Sequence, residues 1–327
     1  MATARVVRVR AFGGPEVMEM ATEELAPPGA GQAQVRHAAI GINFIDISQR
    51  KGGGYPLPLP TGLGHEAAGV VEAVGPGVEG LRPGDRVAYI NAGIGAYADR
   101  RVVAADRLVP VPDTLSDEDA AALIFKGMTA QYLLRKTHRV APGEVVFVHA
   151  AAGGVGLILS AWAKALGAVV VGGVGSEGKR ASALAAGCDH VVVTTAAGWP
   201  ERMLAATGGR KARVVYDSVG RDTLLHSLDC AAPFGLVVVY GGASGPAPAI
   251  EPELLNRKGC LFLTRPSVFP HNADPADLRA NAAELFAAVA AGAVTAHVGA
   301  RYALADVADA HRAIEGRQTV GATVLVP

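Results

Sequence analysis

Hydrophobic and polar residues alternate in short runs over roughly the first 125 residues, and turns rich in proline and glycine separate these runs. The runs read ARVVRVRAF, AQVRHAAI, AAGVVEAV, DRVAYI and RRVVAA, with turns such as APPGAGQ and GPGVEGLRPGD between them. A period of two is typical of strands that bury one face. The pattern therefore predicts a β-rich domain of many short strands.

From about Gly143 onward, continuous apolar runs alternate with segments of helical spacing. Valine-rich runs predict strands at 144–150, 168–174, 190–193, 212–217, 235–241 and 258–266, and the later helical segments are 275–291 and 305–315. Continuous apolar strands joined by helices indicate a parallel sheet that is covered on both faces. The predicted fold class is therefore α/β, with a Rossmann-type doubly wound sheet. We expect the final strand, in GATVLVP, to pair with the first domain.

Residues 145–163 form an apolar stretch without charged residues that is almost long enough to cross a membrane. Its β-branched and aromatic residues cluster at the start, and a glycine-rich loop interrupts it. A buried strand, a tight turn and a buried helix explain these features better than a membrane span does. We therefore expect no membrane association.

The composition excludes several classes of protein. Glycine is enriched: 41 of 327 residues are glycine, which is roughly 12.5% against an average of about 7%. The glycines do not follow a Gly-X-Y period, so the chain is not a collagen. Half of the residues are hydrophobic and the net charge is zero, which disfavours disorder. Without a basic excess, a nucleic-acid partner is also disfavoured.

The cysteines indicate a reducing compartment. Cys188, Cys230 and Cys260 are far apart, and an odd number argues against a disulfide framework. The first residues, MATARVVRVRAFGG, contain arginines but no apolar core of a secretory signal. We therefore expect a cytoplasmic protein.

A glycine-rich loop follows the first strand of the predicted parallel sheet. The sequence VFVHAAAGGVGLILS gives a strand, a loop and a helix that opens at Gly154. In the GxGxxG pattern, Ala151 replaces the first glycine, and Gly153 and Gly156 are the other two. Such glycines let the backbone approach a pyrophosphate at a helix N-terminus. The alternative is a tight turn in a protein that binds no nucleotide.

The end of the next strand distinguishes NAD from NADP. An acidic residue there binds the ribose hydroxyl of NAD, whereas basic residues bind the 2′-phosphate of NADP. This chain has Gly175 and Ser176 at the strand tip, followed by Glu177, Lys179 and Arg180. The absence of an acid at the tip and the two basic residues favour NADPH. The alternative is a solvated helical turn in which Glu177, Lys179 and Arg180 face water.

Further blocks of sequence identify a family. The blocks are GLGHEAAGVVEAVGPGVEGLRPGDRVA (62–88), HAAAGGVG (149–156), YDSVG (216–220), NFID (43–46), FKGMTAQYLLRKT (125–137), TRPS (264–267) and the C-terminal GRQTVGATVLVP. Together they resemble the medium-chain dehydrogenase/reductase superfamily and, within it, the zinc-independent, zeta-crystallin-like NADPH:quinone oxidoreductases. The resemblance implies a GroES-like catalytic domain from 1–126 and 269–327, a Rossmann NADPH-binding domain at 127–268, and a homodimer.

Zinc alcohol dehydrogenases of the same superfamily hold their catalytic metal with Cys, His and Cys. By this resemblance His65 occupies the histidine position, Asn43 occupies the first cysteine position, and the second falls near Phe125. One imidazole without thiolates cannot hold a tetrahedral zinc ion, so we expect no metal. His65 is then either a histidine of the substrate cleft or a hydrogen-bonded supporting residue, and we favour the second.

The resemblance also implies site residues. Asn43, Asp46 and Tyr55 would form the catalytic group beside the nicotinamide. The residues expected to bind the cofactor are Asn43, Tyr55, Lys126, Gly153, Gly154, Val155, Gly156, Ser176, Lys179, Thr194, Ser218, Tyr240, Gly241, Arg265, Ser267 and Arg317. Thr194 stands where the family often has a tyrosine. From its ordinary pKa of about 3.9, Asp46 is expected to orient its neighbours rather than to donate a proton.

The predicted function is the NADPH-dependent reduction of quinones, or of related α,β-unsaturated carbonyls, without a metal. Such acceptors are electrophilic enough for hydride transfer when only hydrogen bonds polarise the carbonyl. One alternative is an NAD(P)-dependent alcohol dehydrogenase. A second alternative, of another class, is an NADPH-binding crystallin-like or RNA-binding protein with little turnover.

Overall fold

The computed structural model describes residues 2–327, which form fifteen strands and ten α-helices. The strands are β1 (Ala2–Val9), β2 (Met18–Leu25), β3 (Gln32–Ile42), β4 (Glu66–Val74), β5 (Arg86–Ile90), β6 (Arg100–Ala104), β7 (Leu108–Pro110), β8 (Val145–Val148), β9 (Val169–Val174), β10 (His190–Val193), β11 (Ala212–Asp217), β12 (Ala231–Val239), β13 (Phe262–Thr264), β14 (Val298–Ala303) and β15 (Ala322–Val326). The helices are α1 (Phe44–Arg50), α2 (Asp117–Tyr132), α3 (Gly154–Ala165), α4 (Arg180–Ala185), α5 (Trp199–Ala206), α6 (Leu224–Cys230), α7 (Pro252–Arg257), α8 (Val268–His271), α9 (Pro275–Ala290) and α10 (Val307–Glu315). Short 3-10 turns lie at Pro15–Val17, Ala105–Arg107, Glu177–Lys179 and Leu304–Asp306, and a π-helical turn at Leu133–Thr137 continues α2.

The described residues divide into two compact units. The first contains the chain through Met128 with Phe269–Phe286 and Ala296–Pro327, and the second contains Thr129–Val268 with Ala287–Thr295. These units differ from the predicted domain boundaries at 127–128 and at 287–295. The predicted division into a catalytic and a cofactor domain is a statement about function, and it stays a prediction.

The second unit is built on a parallel sheet of six strands in the order β10-β9-β8-β11-β12-β13. The chain starts at the centre with β8, runs outward through β9 and β10, and returns to continue from β11 on the other side. This is the doubly wound order of a Rossmann-type sheet, and its switch point lies between β8 and β11. All four residues of β8 are buried, as expected for a strand covered on both faces. The predicted α/β fold class is confirmed.

The first unit contains a sheet in the order β14-β15-β3-β4-β5-β7, with β6 also paired to β3, and a separate hairpin of β1 and β2. As expected, the last strand joins this unit: β15 pairs antiparallel with β3, with Thr323 opposite Ile42. Its core packs apolar residues from both ends of the chain, including Val35, Ile40, Tyr97 and Leu325. Both ends of the sequence are therefore needed to build one sheet.

Some strands differ from the sequence predictions. β12 starts at Ala231, four residues earlier than predicted, and β13 has only three residues. Gly259 and Cys260 adopt positive φ angles of 116° and 54° just before β13, so the turn occupies part of the predicted strand. No sequence signal predicted β2 or β14, because the residues of β2 are exposed or only partly buried and lack an apolar stripe.

The apolar stretch from Val145 to Ala163 forms β8, the glycine-rich loop and most of α3, as predicted. Within residues 2–327, no helix combines the length and the apolar character that crossing a membrane requires.

Candidate functional site

The glycine-rich loop of the second unit brings backbone close to backbone at the switch point of the sheet. The chain leaves β8, passes Ala150 at a φ of 49°, and enters α3 with Gly153 at its N-cap. A Cβ on Gly156 would lie 2.2 Å from the carbonyl oxygen of Ala150, and one on Gly153 would lie 3.1 Å from the same atom. A side chain at Gly156 cannot be accommodated without moving the loop. The loop therefore presents the backbone N–H groups of the first turn of α3, which lack partners within the helix.

The turn after β9 holds the residues predicted to select the cofactor. Arg180 forms an ion pair with Glu177 at 2.5 Å and donates to the carbonyl oxygen of Val191 at 2.5 Å. Arg180 therefore neutralises Glu177 within one turn, and its pairing with a phosphate stays a prediction. Ser176 and Lys179 flank the same 3-10 turn, and Gly175 has open space where a Cβ would be.

Thr194 lies at the end of β10 beside this turn. Its hydroxyl donates to the carbonyl oxygen of Val174 at 3.2 Å, and its backbone N–H donates to the same oxygen at 2.9 Å. The hydroxyl thus stabilises the tip of β9 from within.

Asp217 organises the loop that follows β11. Its Oδ1 accepts the backbone N–H groups of Val219 and Gly220 at 2.8 and 2.9 Å. Its Oδ2 accepts the hydroxyl of Ser227 at 2.7 Å, and the Ser227 oxygen lies 2.9 Å from Nε2 of His149, the first residue after β8. The two loops on either side of the switch point are therefore joined by one buried chain of hydrogen bonds.

The directions of these hydrogen bonds show whether Ser227 could act as a nucleophile. A carboxylate only accepts, so Ser227 donates to Asp217 and must accept from Nε2 of His149. Burial lowers the pKa of His149, and its Nδ1 is buried without a hydrogen-bond partner. The hydroxyl proton points at the carboxylate and not at the imidazole, so Ser227 is not an activated nucleophile. The group holds the two loops in place.

The remaining residues predicted to bind the cofactor in the second unit lie at the ends of β11, β12 and β13. A Cβ on Gly241 would lie 2.6 Å from the carbonyl oxygen of Ser218, so the two loops are in close backbone contact. Tyr240 donates its backbone N–H to the Asp217 carbonyl at 2.9 Å, and burial raises the pKa of its phenol. Arg265 donates to the carbonyl of Val239 at 3.2 Å. Ser267 directly precedes α8, whereas Arg317 belongs to the first unit and adopts a φ of 56°.

In the first unit, Asn43 is held by a buried carboxylate. The Asn43 Nδ2 group donates to Oε1 of Glu66 at 2.8 Å, and the ammonium of Lys126 contacts the same oxygen at 2.8 Å. The other oxygen of Glu66 accepts the backbone N–H of Phe125 at 2.7 Å. A Cβ on Gly41 would lie 2.0 Å from Oε1, so a glycine is required where β3 passes Glu66. Lys126, predicted to bind the cofactor, is thus also the partner of an internal anion.

Asp46 lies in the first turn of α1, which Asn43 precedes. Its Oδ2 accepts the backbone N–H of Asn43 at 2.8 Å and the hydroxyl of Tyr97 at 2.9 Å. The side chain is fully buried, and this burial raises its pKa to about 7. The ordinary aspartate pKa near 3.9 is that of a carboxyl in water, so it does not apply to this buried side chain.

His65 forms the centre of an aromatic group. Its Nε2 lies 2.8 Å from Oε1 of Gln49, and its ring packs against Phe269 and Phe125 with centroids 5.0 and 6.2 Å apart. Burial lowers its pKa to about 4, so the ring is neutral and Nε2–H donates to the amide oxygen. Tyr55 lies at the edge of this group, 6.3 Å from Phe269, with nearly half of its surface exposed.

Several residues of these networks were not predicted from the sequence, namely Gln49, Tyr97 and Ser227. Glu66, His149 and Asp217 stood inside quoted motifs, but no role was given to them. The proximity of polar residues to the motifs was a usable signal for these three. The others come from distant parts of the chain, and only the fold brings them together.

The comparisons with known proteins agree with this architecture. The family model "Alcohol dehydrogenase GroES-like domain" matches residues 29–113, and the model "Zinc-binding dehydrogenase" matches residues 154–287. The quinone oxidoreductase of Pseudomonas aeruginosa is 45% identical, over 99% of this chain and 100% of that protein. A 2-haloacrylate reductase from a Burkholderia species is 42% identical, over 96% of each chain. The crystal structure of Escherichia coli quinone oxidoreductase complexed with NADPH matches with a TM-score of 0.96 and 44% identity, over 100% of both chains.

The second family description mentions zinc, a metal that requires a suitable set of ligand side chains. At the three positions that the family resemblance assigns to the catalytic zinc ligands, this chain has Asn43, His65 and, near the third, Phe125. Nε2 of His65 bonds to Gln49, and the Asn43 amide bonds to Glu66. These residues do not fit a tetrahedral zinc site with thiolate ligands. Among residues 2–327, no group of three or more His, Cys, Asp or Glu side chains is arranged to hold a metal ion.

Proposed function

This chain belongs to the quinone oxidoreductase family of the medium-chain dehydrogenase/reductase superfamily, and from this membership we propose that it reduces quinones with NADPH. Related α,β-unsaturated carbonyls are the second class of acceptor, since a relative of similar identity is a 2-haloacrylate reductase. The observation that carries the proposal is the glycine loop between β8 and α3, followed by a β9 tip without an acidic residue. This combination supports a dinucleotide with a phosphate on its adenosine ribose.

The residues of the second unit fit such a cofactor. Gly154, Val155 and Gly156 can offer backbone N–H groups to a pyrophosphate. Gly153 contributes the close turn instead, because its N–H already donates to the Ala150 carbonyl at 2.8 Å. Ser176 and Lys179 are assigned to the 2′-phosphate. Thr194, Ser218, Tyr240, Gly241, Arg265 and Ser267 complete the proposed set in this unit, and the proposal also includes Arg317, which belongs to the first unit. Because Glu177 is already neutralised by Arg180, it does not repel that phosphate.

In the first unit, the hydrogen bonds of Asn43 limit what it can do. The Glu66 carboxylate only accepts, so one N–H of the Asn43 NH₂ group bonds to Glu66, and the second N–H and the amide oxygen are what Asn43 can offer to a bound molecule. Asn43 therefore contacts the cofactor or substrate through one of these two groups. We assign polarisation to Tyr55, whose phenol can donate to a substrate oxygen.

The chemistry follows from these roles. When NADPH is bound, it supplies the hydride. Tyr55 donates to the oxygen on which negative charge develops, and a solvent proton completes the reduction. Asp46 holds the backbone of Asn43, and Lys126 holds Glu66. A single phenol is a weak activator compared with a metal ion, which fits quinones and enones better than simple ketones.

We also propose that the protein is a homodimer in a reducing compartment, the cytoplasm. β13 is the outermost strand of the parallel sheet, and its Phe262 is 60% exposed. An edge strand with an exposed aromatic residue can continue the sheet into a second copy. The three cysteines are free, which supports a reducing environment.

The test is a screen of the purified protein. The oxidation of NADPH and NADH is measured with 1,4-benzoquinone, naphthoquinones, small enones and simple alcohols. We expect turnover with NADPH and quinones, and a much lower kcat/KM with NADH. NADPH binding without turnover of any acceptor would instead support a crystallin-like binding protein.

The metal content of the purified protein distinguishes the proposed function from the remaining alternative, an alcohol dehydrogenase. An alcohol dehydrogenase of the zinc type would contain stoichiometric zinc and would lose activity on treatment with a chelator. We expect neither, and finding both together with alcohol oxidation would overturn the proposal.

A further inference from the structure

The Asp46 carboxylate is held through one of its two oxygens. Oδ2 accepts both the Asn43 backbone N–H and the Tyr97 hydroxyl, whereas Oδ1 is buried without a hydrogen-bond partner. A carboxylate that bonds through one oxygen can turn about its Cβ–Cγ bond more easily than one held at both. The Tyr97 hydroxyl therefore selects the orientation in which Asp46 reaches Asn43.

Tyr97 is itself part of a longer chain of buried groups. Its hydroxyl oxygen lies 3.0 Å from Nε2 of His311 on α10, and Nδ1 of His311 lies 3.2 Å from Nη1 of Arg50. The Arg50 side chain is fully buried, donates to the Gly13 carbonyl and forms an ion pair with Glu315. This series of hydrogen bonds thus connects Arg50, the last residue of α1, to Asp46 in the first turn of the same helix.

The direction of every bond in this chain is determined. Arg50 has only donors, so Nδ1 of His311 must accept. Burial and the charge of Arg50 lower the pKa of His311 to about 3, which keeps the ring neutral with its proton on Nε2. Nε2 therefore donates to the oxygen of Tyr97, and the Tyr97 proton is directed at Asp46. The order Arg50, His311, Tyr97, Asp46 cannot run the other way.

We propose that Tyr97 and His311 are positioning residues for the reaction, because together they direct a hydrogen bond onto Asp46 that keeps Asn43 in its working orientation. The proposal rests on the proposed function, in which Asn43 contacts the reacting molecules. Asn43 is fixed on its side chain by Glu66 and on its backbone by Asp46. Neither Tyr97 nor His311 needs to touch the substrate.

The same unit contains a second buried tyrosine–histidine pair that provides a matched control. The Tyr89 hydroxyl lies 3.0 Å from Nε2 of His37, and Nδ1 of His37 bonds to the Ala98 carbonyl at 2.7 Å. Here the carbonyl can only accept, so Nδ1 carries the proton and Tyr89 donates to Nε2. This pair ends on the backbone and does not reach Asp46.

The first experiment compares Tyr97→Phe with Tyr89→Phe in the full-length protein. Each variant loses one buried hydroxyl, so both are expected to lower the Tm by similar amounts. Only Tyr97→Phe should lower kcat with 1,4-benzoquinone, by roughly tenfold, as a small displacement of a positioned group can. Its KM for NADPH should change less than about twofold, because the phosphate contacts in the second unit are unchanged.

The second experiment uses the conservative variant at His311. The amide of His311→Gln can accept from Arg50 and donate to Tyr97, whereas His311→Leu can do neither. We expect Gln to retain most of kcat and Leu to lose it, even where both variants have the same Tm. This pair also decides the question if Tyr97→Phe does not fold.

The outcomes separate this proposal from the proposed function. If the wild-type protein reduces quinones but Tyr97→Phe and Tyr89→Phe have the same kcat, the positioning role is wrong and the function stands. Equal kcat values for His311→Gln and His311→Leu would overturn it in the same way. If the wild-type protein has no NADPH-dependent reductase activity, the proposed function itself has failed.

Discussion

The Nζ of Lys126 lies 2.8 Å from Oε1 of Glu66, and both side chains are almost completely buried. Removing one partner of such a pair leaves an uncompensated charge and typically costs about 3–5 kcal/mol. We expect Glu66→Gln and Lys126→Met each to lower the free energy of unfolding in this range. Glu66→Gln should also lower activity, because its amide has one accepting oxygen for Asn43, Lys126 and the Phe125 N–H, whereas the carboxylate has two.

A double-mutant cycle checks this prediction by denaturant unfolding. The combined variant Glu66→Gln/Lys126→Met should lose clearly less than the two single variants added together. The exposed pair of Lys164 and Asp189 is the control, and Lys164→Met should cost less than about 1 kcal/mol. Additive losses at Glu66 and Lys126 would mean that the pair is not coupled.

The assignment of the 2′-phosphate predicts different effects at two adjacent basic residues. Lys179→Ala should raise the KM for NADPH roughly tenfold or more while hardly changing that for NADH, since a charged hydrogen bond is worth about 1.5–3 kcal/mol. Arg180→Ala should have a smaller effect, because Arg180 already bonds to Glu177 and Val191. Steady-state kinetics with both cofactors measure this. Equal effects of Lys179→Ala on NADPH and NADH would refute the assignment.

The glycine loop predicts a steric effect that depends on position. Gly156→Ala would place a Cβ 2.2 Å from the Ala150 carbonyl oxygen, and we expect a loss of about 1–3 kcal/mol in stability together with weak NADPH binding. A Cβ at Gly178 meets nothing within 4 Å, so Gly178→Ala should keep the wild-type Tm. Thermal unfolding and a binding titration with NADPH compare the two. A Gly156→Ala variant that binds NADPH normally would contradict the role of the loop.

The ionisation of Asp46 should make stability depend on pH. Burial raises its pKa in the folded protein to about 7, above the ordinary value of about 3.9. Between these values the folded state holds a proton that the unfolded state has released, so this group lowers stability as the pH rises from about 4 to about 7. The full penalty, of the order of 4 kcal/mol, is present above pH 7 and absent below pH 4.

Asp46→Asn removes this titration. We expect the Tm of the variant, relative to wild type, to increase from pH 4 to pH 7 and then to level off, while its activity falls at every pH. Glu66 and Lys126 are the nearest other charges, with opposite effects on Asp46, and both are retained in the variant. A Tm difference that does not change with pH would show that folding does not raise the pKa of Asp46.

The proposed dimer predicts that the edge of the parallel sheet is sensitive to charge. Phe262→Lys on β13 should convert the dimer to a monomer in light scattering coupled to size-exclusion chromatography. Leu225→Lys is the control, because Leu225 is 51% exposed on α6 but not on the sheet edge. If the wild-type protein is a monomer, or if both variants remain dimers, this interface is wrong.

The sequence predicted the second unit better than the first. The run HVVV at 190–193 and the run at 212–217 match β10 and β11 residue for residue, because buried parallel strands are continuous in hydrophobicity. The loop at Gly153 and Gly156 was also predictable, since its chemistry lies in the backbone and needs only local sequence. β2 could not be predicted in this way, because all of its residues are exposed or only partly buried.

The residues that support Asn43 could not be predicted from the sequence, and the reason is physical. Asp46, Tyr97 and His311 are far apart in the chain, and no periodicity or spacing relates them. The pKa of Asp46 depends on burial, which is a property of the fold and not of the residue. The sequence did identify Asn43 and Asp46 through the family motif, but their roles at the site stay predictions.

The position of β15 has a consequence for how the protein is made. Ile42 on β3 and Thr323 on β15 lie opposite each other in the sheet, although most of the chain separates them in sequence. During synthesis, the strands of the second unit, β8 to β13, are all available while the sheet of the first unit still lacks the residues of β15. The ribosome therefore delivers all strands of the second unit while β3 of the first unit still has an open edge, and this nascent chain is the stage at which a chaperone would have an exposed strand to bind.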